Sequence, residues 1–194
     1  MAVNIRSWTK RLSNLHILDN QGKLSLGGLL VLGVVAGLLQ VHLRYPLNIP
    51  GHHGLEWMAL LLFGRCLGAH RYAATILASA AAASYLIQSP FVVVAHSMKP
   101  AFIFLLTGFC SDALYPVTRN YLPLTVNAGL IGGLAFIAKP LMMYLLFMLT
   151  SLQVGMFVKH PDYLPFVTHF LFGMVGGIGG GMMARVVQAI GSKY

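Results

Sequence analysis

Acidic side chains are almost missing from this chain. Asp19, Glu56, Asp112 and Asp162 are the only four carboxylates in 194 residues, and charged residues of both signs make up 9%. Soluble domains carry about 25% charged residues, so a soluble globular fold is excluded. No two of the carboxylates share an apolar segment, which removes chemistry that needs paired carboxylates. There is no GxSxG, HExxH or phosphate-loop pattern. The run Gly176-Gly177-Ile178-Gly179-Gly180-Gly181 has no strand before it and is read as helix-packing glycine, not as a nucleotide loop. The expectation is a protein that is not an enzyme and carries no cofactor. Any active transport would then draw its energy from a partner. Cysteine is scarce too: Cys66 and Cys110 form no CxxC or Cys–His zinc spacing. Both fall near cytoplasmic ends of spans on the topology below, where a disulfide is not expected.

Apolar residues fill the space that charge leaves. The chain is 57% hydrophobic, with mean hydropathy +0.75. Six apolar segments separate cleanly at about 24–43, 55–69, 72–88, 100–115, 122–150 and 163–190. A membrane helix needs about 20 residues, so the length admits six such spans and little else. The fold class expected is an all-α integral membrane protein, a compact bundle of six transmembrane helices. Residues 1–24 form a cytoplasmic or interfacial lead, 25–190 the membrane domain and 191–194 a cytoplasmic tail. Trp8, Leu12 and Leu15, set among Arg6, Lys10 and Arg11, suit a short helix lying on the interface; a loosely ordered tail fits as well. The lead is too long and polar, and the first span too complete, for a cleavable signal. The stretch 89–100 reads either as the start of span 4 or as a re-entrant external loop.

Basic residues sort by loop parity. The two tails and the loops after spans 2 and 4 hold Arg6, Lys10, Arg11, Lys23, Arg65, Arg71, Arg119, Arg185 and Lys193. The three opposite loops hold Arg44, Lys99 and Lys159. This positive-inside bias places both termini in the cytoplasm, as for an inner-membrane protein. The net charge of +9 is spread along membrane-flanking loops. It suits anionic lipid headgroups and not nucleic acid.

Small residues recur every fourth position: Gly33 and Gly37, then Ala74, Ala78 and Ala82, then Gly129 and Gly133, and two rows in span 6, Gly173-Gly177-Gly181 and Gly176-Gly180-Ala184. Such faces let helix backbones approach closely in lipid. They serve packing inside one bundle or docking to another membrane protein. The faces of spans 1 and 3 (Gly33, Gly37, Ala74, Ala78, Ala82) are taken as partner-docking surfaces.

Lys139 lies within span 5, where an ionisable group costs about 2.5–3.5 kcal/mol on insertion scales. It either holds an anionic or carbonyl-bearing ligand, pairs with Glu56, or snorkels to the surface. Pro140 beside it frees a backbone carbonyl one turn earlier. His42, His52, His53, His96, His160 and His169 map to the external side, with Glu56 and Asp162. The substrate-binding candidates are therefore Lys139, His52, His53, Glu56, Trp57, His96 and His169. Tyr45, Phe91, Tyr144 and Tyr163 offer further walls or an interfacial belt. No histidine spacing is diagnostic of a metal site. Asn127 is expected to make an interhelical hydrogen bond.

Three stretches carry a resemblance: Pro46-Leu47-Asn48-Ile49-Pro50-Gly51-His52-His53-Gly54, Leu60 through Ala74 with its Gly64-Arg65-Cys66-Leu67-Gly68 turn, and His169-Phe170-Leu171-Phe172-Gly173-Met174-Val175-Gly176-Gly177. Together with six short spans, they resemble the substrate-binding S-components of energy-coupling factor transporters. The resemblance covers about residues 24–190. It implies a vitamin or micronutrient binder with a pocket in the outer half, a transmembrane coupling protein and cytoplasmic ATPases as partners, and small-residue faces for docking. Two branch motifs are absent. The Asp-x-x-Lys of the biotin branch has no lysine at Asp162-Tyr163-Leu164-Pro165, and the chain starts Met1-Ala2-Val3, without the methionine-histidine start of the cobalt and nickel branch. The alternatives are a non-transport scaffold or assembly subunit and a transition-metal uptake component.

Overall fold

The computed structural model describes residues 23–42, 49–88, 99–150 and 163–191. Six helices make up these residues: α1 Leu26–His42, α2 Gly54–Leu67, α3 Ala73–Gln88, α4 Lys99–Thr118, α5 Leu124–Thr150 and α6 Leu164–Gly191. They match the six apolar segments. The ambiguous stretch resolves at its end, since α4 starts at Lys99; residues 89–98 lie outside the described residues, as do the interfacial lead and the tail from 192. Three helices are long and apolar enough to cross a membrane: 19 residues of α4, 26 of α5 and 27 of α6. The 14 residues of α2 rise only about 21 Å, short of the roughly 30 Å of hydrocarbon.

Helix ends are fixed by local chemistry. Ser25 Oγ accepts the Gly28 N–H at 3.3 Å at the start of α1. Leu24 donates to Leu67 O at 2.9 Å and Ala69 donates to Leu24 O at 3.1 Å, tying the start of α1 to the end of α2. Before α2, Gly51 holds φ at +87°, and its carbonyl accepts the Gly54 N–H at 2.8 Å. Pro165 occupies the first turn of α6, where no intrahelical donor is required.

The bundle is built from two three-helix halves. The broadest interfaces join α6 to α5 and to α2, and α3 to α1 and to α4; α4 against α5 and a thinner set of contacts around α2 close the halves together. Within the halves, small residues bring backbones together. A methyl group at Gly173 or Gly177 would strike the α5 backbone at Gly132 or Ala128, and one at Gly176 or Gly180 would strike the α2 backbone at Leu55 or Ala59. The two rows on α6 thus serve two neighbours. Gly33 and Gly37 sit against Leu77, Ala80, Ala81 and Ser84 of α3, and Gly108 of α4 sits against Ala74 and Ala78. Ala74 and Ala78 are fully buried and Ala82 nearly so. Of the residues read as partner-docking faces, Gly33, Gly37, Ala74 and Ala78 are used by α1, α3 and α4 on one another at close helix approaches.

Polarity is arranged inside out. Leu30, Val31, Ile87, Phe102, Phe109, Leu149 and Val186 are exposed, whereas Arg65, Thr107, Ser111, Asp112, Asn127 and His169 are buried. Apolar outer faces with polar groups turned inward are what a lipid solvent demands. The protein is a helical membrane protein.

Candidate functional site

Buried polar groups gather at two ends of the bundle. The first lies where α2 stops and α3 starts. Arg65 Nε approaches Asp112 Oδ1 to 2.7 Å, with both side chains almost fully covered. The N–H does not line up with the oxygen, so the contact is an ion pair without a formal Nε hydrogen bond. Asp112 Oδ1 accepts the Ala74 N–H at 3.2 Å. Its Oδ2 accepts the Thr75 N–H and the Thr75 hydroxyl, each at 2.7 Å. A carboxylate from α4 therefore caps α3, where free N–H groups and the helix dipole favour negative charge. The Arg65 guanidinium lies 4.0 Å from the centre of the Tyr115 ring. Both charges in this knot are paired, while Arg65 Nε makes no hydrogen bond.

Sequence reasoning counted Arg65 among loop charges and passed over Asp112. The signal was present: Asp112 is an acidic residue inside an apolar helix, three residues before Tyr115 and beside a row of Thr107, Ser111 and Tyr115 at four-residue steps. Between the two ends, Trp57 is 4% exposed. Its indole N–H donates to Thr107 Oγ1 at 3.1 Å, and its ring lies 4.3 Å from that of Phe104. Trp57 thus spends its polar group and its apolar face on α4, as a core residue.

The second end lies where α5 and α6 meet the turn before α2. His169 is fully buried. Its Nδ1 is 2.6 Å from Pro165 O, and its Nε2 is buried with no hydrogen-bond partner. The Phe136 ring lies 4.9 Å from the imidazole, tilted by 32°. Lys139 Nζ stands 5.7 Å from the centre of that same Phe136 ring. Lys139 is partly buried. Among the described residues it forms no ion pair, with Glu56 or any other carboxylate. The glycine turn covers both rings: a Cβ on Gly51 would come to 3.0 Å from His169 Nδ1, and one on Gly54 would run into Phe136.

The remaining candidates fall into place around this end. His52 and His53 follow Gly51 in the turn, their rings 3.8 Å apart, and His52 Nδ1 lies 2.6 Å from Ile49 O. Glu56 is in the first turn of α2, partly buried. Tyr163 is exposed, and Tyr144 meets Phe166 edge-on at 6.2 Å. His96, His160, Asp162, Tyr45 and Phe91 lie outside the described residues. The structure therefore brings together Lys139 and His169 through Phe136, which sequence reasoning did not select. Asn127 departs from expectation: it is 1% exposed, yet neither its Nδ2 nor its Oδ1 finds a hydrogen-bond partner. Cys66 and Cys110 are free thiols. Among the described residues no three histidine, cysteine or carboxylate side chains converge as a metal site would require. Comparison with protein-family models, curated proteins and solved structures finds no match to this chain.

Proposed function

We propose that this protein is the membrane-embedded substrate-binding subunit of an uptake system for a small organic micronutrient, resembling an energy-coupling factor S-component. Six spans cross the inner membrane with both termini in the cytoplasm. The Arg65–Asp112 end faces inward and the His169 end outward. A coupling protein and ATPases of separate chains supply the energy, and this chain itself performs no catalysis. The three shorter helices fit the bilayer by local thinning or by polar flanks reaching the headgroups.

One observation carries this reading. Among the described residues, the His169 end holds a buried imidazole nitrogen without a partner and a lysine without a carboxylate, both beside Phe136. A buried polar group left unpaired costs about 1–3 kcal/mol, a cost expected where a ligand completes the bonding. The ammonium of Lys139 speaks against a transition-metal cargo at this end, since it repels a second cation. The small faces of α1 and α3 are occupied within the bundle and so support neither docking to a coupling protein nor the scaffold reading.

Native mass spectrometry of protein gently extracted from its own membrane tests the proposal. The expected result is a bound small organic molecule, lost from Lys139→Ala while the protein remains folded. A ligand-free protein held in a stoichiometric complex of other membrane proteins would establish the scaffold reading instead.

A further inference from the structure

The register of α2 against α6 sets the depth of the turn before α2. Gly176 of α6 meets Leu55 of α2, and Gly180 meets Ala59 and Phe63. The numbers rise together, so the two helices run parallel. Ala184 packs in one cluster with Phe63 and Leu67, which carries the same register to the end of α2. Gly176 lies twelve residues inside the start of α6 at Leu164, a rise of about 18 Å. The first turn of α2 is therefore recessed by about 18 Å from the end at which α6 begins. The 27 apolar residues of α6 exceed the roughly 30 Å of hydrocarbon by about 10 Å. Even with all of that excess on this side, α2 begins about 8 Å below the hydrocarbon surface. It spans the side of the bilayer nearer Arg119, and the chain ahead of it enters the opposite side as a turn.

Polar groups at that depth need water or protein around them. The turn is irregular backbone, with Gly51 at φ +87°. His52, His53 and Glu56 are each partly exposed, and Glu56 makes no ion pair among the described residues. Irregular backbone and an unpaired carboxylate do not face lipid inside a bilayer; they are buried in protein or face water. Their side chains are not fully buried, so their exposed parts face water. We infer that this end of the bundle carries a water-filled inlet, with the Gly51–His53 turn and Glu56 at its floor. A water-soluble solute reaches the depth of α2 by this route, from the face opposite Arg119, without crossing lipid. The inlet goes beyond the uptake reading and does not depend on it. A wet, recessed turn in a protein that retains no ligand leaves the inlet standing, and a dry turn leaves uptake of a solute arriving through the lipid.

Two measurements on the full chain in lipid nanodiscs test the inlet. The first is hydroxyl-radical footprinting of the unaltered protein, with the radicals made from water by X-rays and read by mass spectrometry. His52 and His53 are expected to be oxidised more than Met182, an exposed residue of α6 that faces lipid. Methionine is the more reactive side chain, so this order reports water and not chemistry. Oxidised Met182 beside unmodified His52 and His53 would overturn the inlet, and no variant has to fold. The second measures depth with His53→Cys and Tyr163→Cys, the latter at the exposed start of α6. Wild-type protein, which keeps Cys66 and Cys110, gives the background. A small charged methanethiosulfonate is expected to modify both sites at rates within about ten-fold of each other. A maleimide on a bulky polymer should react at His53→Cys at least about ten-fold more slowly than at Tyr163→Cys. Equal polymer rates would place the turn at the membrane surface and overturn the recess. Failure of the small reagent at His53→Cys alone would overturn the water.

Discussion

The two polar ends of this bundle solve the same problem in opposite ways. At the Arg65 end, Asp112 accepts three hydrogen bonds and an ion pair, from two helices at once. At the His169 end, an imidazole nitrogen has no hydrogen-bond partner and an ammonium has no carboxylate partner among the described residues, both beside one aromatic ring. A low-dielectric interior penalises unpaired polar groups equally at both places. The charges of the first end are paired, with Arg65 Nε short of a hydrogen bond, while the second leaves His169 Nε2 without a partner among the described residues.

Breaking the Arg65 end has the largest expected effect. Asp112→Ala uncaps α3 and strands a buried guanidinium, which is expected to cost about 3–5 kcal/mol. Thermal unfolding in a mild detergent measures it, and the pair Arg65→Met with Asp112→Leu should regain much of the loss. Gly51→Ala comes next, at about 1–3 kcal/mol, because it forces a side chain into φ +87° and against His169. An unchanged melting temperature would contradict the described turn. Trp57→Phe removes the bond to Thr107 and should cost about 0.5–1.5 kcal/mol, with ligand retention unaltered; lost retention would return Trp57 to the binding site. His169→Phe is the sharpest contrast. It replaces an unpaired polar ring with an apolar one, so the ligand-free protein should stay within about 1 kcal/mol of wild type while ligand retention fails. A loss as large as that of Asp112→Ala would erase the distinction between the ends. The smallest perturbation concerns orientation. Cysteines introduced at exposed Arg119 and at His53 should react with an impermeant maleimide from opposite sides of sealed vesicles, Arg119→Cys from within.

Much of the architecture was written in the sequence, and the reason is visible segment by segment. The apolar run at 55–69 became Gly54–Leu67 and the run at 122–150 became Leu124–Thr150, because long apolar blocks bounded by glycine, proline and charge leave few other solutions. Lys139 was selected as an ionisable group inside a span, and His169 as one of the histidines on the external side. Their neighbour Phe136 was not, since a phenylalanine among many apolar residues carries no mark of its role. The small faces illustrate what periodicity omits. A row of glycines says that something comes close, and only the arrangement of helices says that for Gly33 and Gly37 it is α3. Arg65 misled for the same reason, as it sits at the C-terminal end of a span and reads as a flanking charge. Removing it from the nine basic residues leaves eight against three, and the bias persists. Trp57, selected with the outer aromatics, is buried against Thr107 and Phe104 of α4.

The division into two halves gives this molecule internal rulers. Along the joins of α6 with α5 and with α2, backbone rests on backbone at Gly132, Gly173, Gly176 and Gly180, so spin labels on the lipid-facing sides of α5 and α6 should report one distance in every state of the protein. Labels placed on α1 and α6 look across the join, where α2 meets α4 through the side chains of Trp57 on Thr107 and Arg65 on Asp112, and where backbone bonds tie α2 to α1 at Leu24, Leu67 and Ala69. Side-chain contacts can be exchanged without moving a helix against its own partner, and glycine seams cannot. If this bundle changes shape during its work, the first pair of labels will be the fixed reference and the second will be the dial.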